Sequence, residues 1–364
     1  MPGLVDMHVH LFDSRDLLLY LANGVTTIRN LGGYAAADSI LDIRRQIASG
    51  QRLGPTIYTS GNWLDGDPPF RDINTVVRTP AEARAIVAAQ KKAGYDFIKV
   101  YQTLSPEVYR EILRTGRQLG IPVTGHVPSA VGVDGVLASG QAGVDHVGQL
   151  LGGDAGDVAQ RARRADVGVT TTLVMLDRVL TMRGRPEAVE SLLALPEARY
   201  ISPDTRAFWK RAPYLGMSRA DPSKPMYAAA EALVRALEHE GAILMAGTDA
   251  GIWGNEPGYS LVEEVIRLKD AGLTPYQALR AATVAPAGFL VRWVRGAEQP
   301  GAIAVGGRAD LLLLEANPLA DVGALRRRAG VLVRGTWFPQ DSLGRMLDAL
   351  AAEYDGELRP GRPP

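Results

Sequence analysis

Two histidines, His8 and His10, occupy alternate positions in an apolar segment, residues 3–10, near the start of the chain. The segment predicts a buried strand, in which alternate side chains share a face, so both imidazoles point to the same side. Neutral imidazole is a common ligand of zinc and related metal ions. The pair therefore indicates a metal site, although two histidines that form local hydrogen bonds at a strand end would have the same spacing.

The elements that must position these side chains alternate between strand and helix along most of the chain. Strands alternating with helices pair in parallel, and eight such units within about 250 residues predict an α/β fold of the (β/α)8 TIM-barrel type. A helical insertion at residues 177–239 falls between the last two predicted strands, where it would cover the mouth of the barrel. The eight predicted strands are residues 3–10, 25–29, 55–60, 97–101, 122–127, 144–147, 169–174 and 243–249.

The last part of the chain has a different pattern. Residues 1–299 are predicted to form the barrel, and residues 300–340 a small, incomplete β appendage. Residues 341–364 are predicted as a C-terminal helix followed by a disordered tail, because the final residues are polar and rich in proline and glycine. The strands predicted in the appendage are residues 301–303, 309–314 and 330–335.

Composition limits the classes of partner. Forty basic residues balance forty acidic ones, so nothing favours nucleic acid or an anionic membrane surface, and a small-molecule substrate is expected. The sequence has no apolar run long enough for a membrane span and begins without the pattern of a signal peptide, which predicts a cytoplasmic protein. Because the chain contains no cysteine, any metal must be bound by His, Asp, Glu or a modified side chain.

The active sites of (β/α)8 barrels lie at the carboxyl ends of the strands. Four of the five histidines fall at such ends here, which favours a metal centre over histidines satisfied within a core. The fifth, His239, lies near the end of a helix and is expected to have a surface role. The candidate ligands are His8 and His10 on the first strand, Lys99 on the fourth, His126 on the fifth, His146 on the sixth and Asp249 on the eighth.

The order of these motifs resembles the amidohydrolase superfamily, in the imidazolonepropionase-like branch that includes prolidase-type and Xaa-Arg dipeptidases. The similarity spans residues 1 to 338, because the Gly-Gly-Arg-Ala-Asp-Leu motif at 306–311 also resembles the closing β segment of that family. The resemblance implies two zinc ions with these ligands: His8, His10 and Asp249 for one, His126 and His146 for the other, and N6-carboxylysine at Lys99 as the bridge.

Carboxylation of Lys99 makes physical sense beside two cations, because an unmodified ammonium within about 4 Å of a divalent ion would be repelled by several kcal/mol. The alternative is a neutral or salt-bridged Lys99 beside a single metal, as in imidazolonepropionases and many deaminases of the superfamily. Asp249 likewise has an alternative role as a turn-forming aspartate between two glycines.

The expected reaction is hydrolysis of an amide-type C–N bond in a dipeptide or an N-acyl amino acid. A metal-bridging hydroxide would attack the carbonyl, and Asp249 would accept its proton and deliver it to the leaving amine. Tyr101 shares the inward face with Lys99 and is expected either to donate a hydrogen bond to substrate or to pack at the rim. The alternatives are a mononuclear cyclic-amide hydrolase or deaminase, and a non-catalytic barrel scaffold.

The chain departs from the family at its start, because members usually carry a longer segment before the first histidine pair. A start assigned too late, a trimmed chain, or C-terminal strands that find partners across a dimer would each explain this. An unpaired apolar strand at 311–314 predicts poor solubility or a homo-oligomer. Asp145 stands where the family often has Glu, which removes no ligand.

Overall fold

The structure, a computed structural model, describes residues 1–32, 40–218, 223–298 and 301–357. Its strands are β1 (Leu4–Val9), β2 (Val25–Asn30), β3 (Thr56–Thr59), β4 (Leu64–Asp65), β5 (Thr75–Val76), β6 (Ile98–Val100), β7 (Val123–Gly125), β8 (Gly143–Asp145), β9 (Gly168–Thr170), β10 (Ile243–Met245), β11 (Leu311–Leu314), β12 (Arg328–Val333) and β13 (Thr336–Pro339).

The α-helices of the described residues are α1 (Asp16–Ala22), α2 (Ile40–Ala48), α3 (Pro80–Ala93), α4 (Pro106–Leu119), α5 (Gly132–Leu137), α6 (Ala155–Ala165), α7 (Leu173–Met182), α8 (Pro186–Leu193), α9 (Pro203–Trp209), α10 (Ser223–His239), α11 (Tyr259–Asp270), α12 (Pro275–Ala281), α13 (Val284–Trp293) and α14 (Gln340–Glu357). Short 3₁₀ helices occur at Val147–Leu150, Pro196–Tyr200, Pro213–Gly216 and Val322–Arg326. None of the helices in the described ranges combines the length and apolar character that a membrane-spanning segment requires.

Parallel strands form the centre of the molecule in two sheets. One sheet has the order β1-β2-β3, and the other has the order β10-β9-β8-β7-β6-β4-β5. Every residue of β1 and β2 is buried, as expected for parallel strands covered on both faces. Isolated parallel bridges join Val9 to Ala250 and Ser60 to Phe97. The predicted α/β fold with parallel strands is confirmed at this level.

Local sequence signals explain how the helices start and stop. The hydroxyl oxygens of Thr79 and Ser105 accept hydrogen bonds from the first turns of α3 and α4, and a proline follows each cap. Gly94 and Gly120 end the same helices in left-handed conformations that a glycine adopts without strain. Helices capped in this way return the chain to the start of each parallel strand.

The seventh predicted strand is among those that end earlier than expected. The seventh strand was expected to continue to residue 174, but β9 ends at Thr170 and helix α7 begins at Leu173. The buried carboxylate of Glu264 accepts hydrogen bonds from the backbone N–H groups of Leu173 at 3.0 Å and Val174 at 2.7 Å. A carboxylate at a helix N-terminus is favourable because it satisfies unpaired amides, and this contact from a distant residue overrides the β-branched local pattern.

The small C-terminal sheet contains one strand that was not predicted, β13, and differs from the prediction in two further ways. Residues 301–303 were expected to form a strand, which is wrong: Ile303 is 67% exposed and lies outside any strand. The expected unpaired strand at 311–314 is also wrong. β11 pairs antiparallel with β12, and on its other side Leu312 exchanges two backbone hydrogen bonds of 2.9 Å with Met1.

The remaining expectations concern the insertion and the tail. The described part of the insertion at 177–239 is mainly helical, with α8, α9 and α10 inside it. Helix α14 confirms the C-terminal helix and extends to Glu357. Residues 358–364 of the predicted tail, and residues 299–300 at the predicted domain boundary, lie outside the described residues.

A buried carboxyl group on α1 gives a test of this packing. Asp16 is 1% exposed, and neither of its side-chain oxygens has a hydrogen-bond partner among the described residues. Burial, with a smaller contribution from the negative charge of Asp13, raises the pKa of Asp16 to about 8. In the unfolded chain the same carboxyl ionises near pH 3.8, so the folded state loses relative stability as the pH rises from about 4 to about 8.

We therefore expect Asp16→Asn to raise the free energy of unfolding by about 2 kcal/mol at pH 8 and by much less at pH 4.5, because the amide cannot ionise. Urea denaturation at the two pH values measures the difference. Asp134→Asn is the matched control, since the side chain of Asp134 is 87% exposed. An equal effect of Asp16→Asn at both pH values would contradict the assignment.

Candidate metal centre

Four histidine rings and one carboxylate converge at one end of the parallel strands. The ring centroids of His8 and His10 are 5.2 Å apart, those of His8 and His146 4.4 Å, and those of His126 and His146 5.0 Å. The Oδ1 atom of Asp249 lies 3.2 Å from Nε2 of His8 and 3.0 Å from Nε2 of His10. The structure thus brings together five of the six side chains that the sequence singled out.

Each of these side chains comes from the carboxyl end of a parallel strand. His8 lies in β1 and His10 directly after it, while His126 and His146 directly follow β7 and β8. His146 and Asp249 have left-handed backbones with φ of 67° and 59°, a conformation that is uncommon for residues with a side chain. Backbone strain of this kind is often found where a functional side chain must point in a fixed direction.

Close backbone approach also fixes the centre. Gly247 precedes Asp249 by two residues, and a Cβ atom at this position would lie 2.9 Å from Cβ of His8 and 3.0 Å from its backbone nitrogen. Asp6 links the same two segments, because its carboxylate accepts hydrogen bonds from the Thr248 hydroxyl at 2.7 Å and backbone N–H at 3.1 Å. These contacts position Asp249 against His8. Asp6 was not among the predicted site residues, although strand alternation places it on the face of His8.

Hydrogen bonds orient two of the imidazole rings. Nδ1 of His10 lies 2.7 Å from the carbonyl oxygen of Gly32, and Nδ1 of His146 lies 2.9 Å from the hydroxyl of Thr172. Such contacts leave Nε2 as the ligand atom, an arrangement that metal-binding histidines commonly show. Burial lowers the pKa of both histidines, so their imidazoles are neutral at pH 7 and keep the lone pair that a metal ion needs.

Several polar atoms in the centre are buried and, despite the short distances between some of them, form no hydrogen bond of suitable geometry with the described residues: both ring nitrogens of His8, Nδ1 of His126 and Oδ1 of Asp249. Leaving such atoms unsatisfied costs about 1–3 kcal/mol each, so native proteins rarely do so without a reason. Ligand atoms of His8, His146 and Asp249 all lie within 4.8 Å of one another. Imidazole nitrogens and a carboxylate oxygen grouped in this way fit a divalent metal ion.

Asp249 is ionised in this setting. Burial opposes the charge of the carboxylate, but the neighbouring imidazoles of His8 and His10 outweigh that effect and hold its pKa well below its usual range. A carboxylate that is buried, ionised and directed at imidazoles is suited to bind a cation and to accept a proton.

Lys99, the sixth predicted side chain, lies beside the centre in a buried ion-pair network. Its Nζ atom is 2.8 Å from Oδ2 of Asp145, whose other oxygen is 2.6 Å from Nη2 of Arg29. Burial lowers the pKa of Lys99, although the negative charge of Asp145 opposes this shift. Asp145 also lies 3.7 Å from Nδ1 of His8, so the network contacts the histidine group directly.

Arg29 and Asp145 are site residues whose roles sequence reasoning missed. They are far apart in the chain and meet only because β2 and β8 face the same interior. One signal was available: an arginine in the middle of a β-branched, buried strand needs an acidic partner, since a charge is rarely buried unpaired.

Tyr101 packs against the histidine group through its ring. It stacks on His126 with centroids 4.0 Å apart and on Trp63 with centroids 5.3 Å apart and an interplanar angle of 7°. Its hydroxyl oxygen accepts a hydrogen bond of 3.1 Å from Nε of Arg71. By contrast, His239 lies away from the centre with a side chain that is 85% exposed, which confirms its surface position.

Comparison with known proteins shows which family this chain resembles. The family model described as "Amidohydrolase family" matches residues 1–338. No curated protein matches the chain. Among solved structures, the bottromycin amidohydrolase is similar at 27% sequence identity with a TM-score of 0.79, over 97% of this chain and 80% of that chain.

A putative prolidase from Bifidobacterium longum is similar at 28% identity with a TM-score of 0.68, over 98% of this chain and 85% of that chain. A Xaa-Pro dipeptidase solved with methionine in its active site shares the fold at 20% identity, with a TM-score of 0.67 over 93% and 86% of the two chains. The chain therefore belongs to the amidohydrolase family and is a hydrolase that acts on carbon–nitrogen bonds.

Proposed function

We propose that this protein is a binuclear zinc amidohydrolase that hydrolyses the amide bond of a dipeptide or an N-acyl amino acid. The observation that carries the proposal is the group of buried imidazole and carboxylate atoms at the ends of parallel strands, which form no hydrogen bond within the described ranges. The similarity to a putative prolidase and to a Xaa-Pro dipeptidase supports this substrate class.

We assign the ligands as the family resemblance implies: His8, His10 and Asp249 for one ion, His126 and His146 for the other, and Lys99 between them. The short distances from Asp249 to His8 and His10 support the first group. When bound, two divalent ions would polarise the scissile carbonyl and lower the pKa of water from 15.7 toward about 7. Because the imidazoles of His10, His126 and His146 have lowered pKa values through burial, protons compete little with metal at neutral pH.

Lys99 would act as the bridge after carboxylation. A buried amine with a lowered pKa has a neutral fraction whose lone pair can form a bond to the carbon of CO₂, with release of the amine proton. The product is a carbamate anion in place of the ammonium cation. Asp145 would then lose the ammonium at 2.8 Å but keep the Arg29 guanidinium at 2.6 Å as its counter-ion.

Two side chains would assist the reaction directly. Asp249, ionised at neutral pH, accepts the proton of the attacking water and returns it to the leaving nitrogen. The Tyr101 hydroxyl accepts its hydrogen bond from Arg71, which leaves its own proton to be donated to the substrate. Both side chains are buried, so their interactions are strong in a site with little water.

We also propose that residues 1–299 form a closed (β/α)8 barrel, with residues 300–340 as a β appendage and residues 341–364 as a separate terminal segment. The bridges from Val9 to Ala250 and from Ser60 to Phe97 support closure, because they join β1 and β3, the edge strands of the smaller parallel sheet, to segments beside β10 and β6 of the larger one. Homo-oligomerisation stays a prediction. It is supported by Leu313 and Trp337 on the small sheet, which are 54% and 43% exposed.

A mononuclear cyclic-amide hydrolase or deaminase is the second candidate. The observation in its favour is the ion pair between Lys99 and Asp145, because a lysine held by a carboxylate needs no second metal. Metal content separates the two candidates.

We expect Asp249→Asn to lower kcat for an N-acyl amino acid by about 10²–10⁴-fold, because the amide cannot accept a proton. Steady-state kinetics on zinc-loaded protein measures this, with His239→Asn as the control on the exposed histidine. Unchanged turnover in Asp249→Asn would remove this residue from the reaction.

We expect about two zinc ions per chain in fully active protein prepared with bicarbonate, and no more than about one in Lys99→Met. Plasma mass spectrometry gives the metal content, and carbon NMR after loading with ¹³C-bicarbonate detects the carbamate. Lys91→Met is the matched control, since Lys91 is exposed and donates to the carbonyl oxygen of Gly120. One zinc ion in fully active wild-type protein would favour the mononuclear candidate.

A further inference from the structure

The loop between β4 and β5 is joined to the residues that follow β6 by the hydrogen bonds of one buried carboxylate. Oδ2 of Asp65 accepts hydrogen bonds from the backbone N–H of Phe70 at 2.7 Å and from Nδ2 of Asn74 at 2.8 Å. Its Oδ1 accepts a hydrogen bond of 2.7 Å from the backbone N–H of Thr103, just beyond β6. The loop that carries Arg71 is thereby fixed to the strand that carries Lys99.

Arg71 lies on aromatic surfaces at this position. Its guanidinium carbon is 5.0 Å from the centroid of the Trp253 ring and 5.9 Å from that of Phe70, distances at which a cation is attracted to a ring face. Its Nε donates to the Tyr101 hydroxyl, and Tyr101 stacks on His126. One tyrosine side chain therefore separates this cation from a proposed metal ligand.

The aromatic surface extends from Arg71 into the insertion. Trp253, four residues after Asp249, stacks on Phe208 of α9 with centroids 5.5 Å apart, and Phe208 lies 5.3 Å from Phe12. Tyr214 contacts Trp253 edge-on at 5.3 Å. The mouth of the site thus combines an apolar, aromatic wall with one guanidinium.

We infer that Arg71 binds the free carboxylate of the substrate, which makes the enzyme selective for C–N bonds next to a terminal carboxylate. A guanidinium packed by its face on rings directs its N–H groups along its edges, and its planar fork matches a carboxylate in a bidentate arrangement. The aromatic wall would take the apolar side chain of such a substrate. This inference rests on the proposed function and assigns to Arg71 the selection of its dipeptides and N-acyl amino acids over neutral amides and lactams.

A purely positioning role for Arg71 makes a different prediction. If Arg71 only orients the Tyr101 hydroxyl, its loss would lower the affinities for charged and neutral ligands by the same factor. If Arg71 binds a carboxylate, its loss would lower the affinity for the charged ligand only. A pair of ligands that differ only in this charge separates the two roles.

The experiment is calorimetric titration of the full zinc-loaded chain with 3-phenylpropanoate and with 3-phenylpropan-1-ol. Neither probe contains a C–N bond, so neither is turned over. We expect wild-type protein to bind the acid at least tenfold more tightly than the alcohol, and Arg71→Met to lower this ratio at least tenfold. Arg71→Lys, which keeps the charge but not the fork, is expected to give an intermediate ratio.

Arg78→Met is the matched control, because Arg78 lies in the same part of the chain but forms an exposed ion pair with Asp67. It should keep the wild-type ratio. The inference is overturned if wild-type protein binds the acid no more tightly than the alcohol, if Arg71→Met keeps the wild-type ratio, or if it weakens both probes equally. A wild-type enzyme without amidase activity would contradict the proposed function while leaving this affinity ratio measurable.

Discussion

The structure depends on a group of buried imidazole and carboxylate atoms that form no hydrogen bond with the described part of the chain. His8, His126 and Asp249 each hold at least one such atom, and every one lies in the interior at the ends of parallel strands. Each unsatisfied atom costs about 1–3 kcal/mol, so the centre is unfavourable for the fold unless a cation occupies it. Coordination to a metal ion would satisfy these atoms. Metal binding would therefore stabilise the native state.

The surrounding fold resists relaxation of this group. Rotation of Asp249 away from the histidines is opposed by the Thr248 contacts to Asp6 and by the lack of space beside Gly247. The left-handed backbone of His146 directs its ring toward His8. Behind the histidines, Arg29 and Lys99 neutralise Asp145, so that a buried carboxylate next to His8 stays ionised. The centre is therefore organised before any ligand arrives, which is the condition for efficient electrostatic catalysis.

Much of this arrangement could be predicted from the sequence, because side chains alternate along a strand and active-site residues lie at the carboxyl ends of parallel strands. Alternation in one strand placed His8 and His10 together, and the position of an ionisable residue at a strand end was enough to find His126, His146 and Asp249. The failures share a different cause. Glu264 at the start of α7, Met1 against β11, and Arg29 against Asp145 are contacts between distant residues, which no local pattern reports. Arg71 was missed because the loop that carries it is shaped by Asp65 and not by any periodicity.

The central claim is that two zinc ions replace the missing hydrogen bonds of this group. Anomalous diffraction from crystals of the zinc-loaded protein, recorded at the zinc absorption edge, tests it most directly. We predict two peaks, one about 2.0–2.2 Å from the donor atoms of His8, His10 and Asp249 and one at the same distance from His126 and His146. Zinc bound at other residues, or no peak at this centre, would contradict the account.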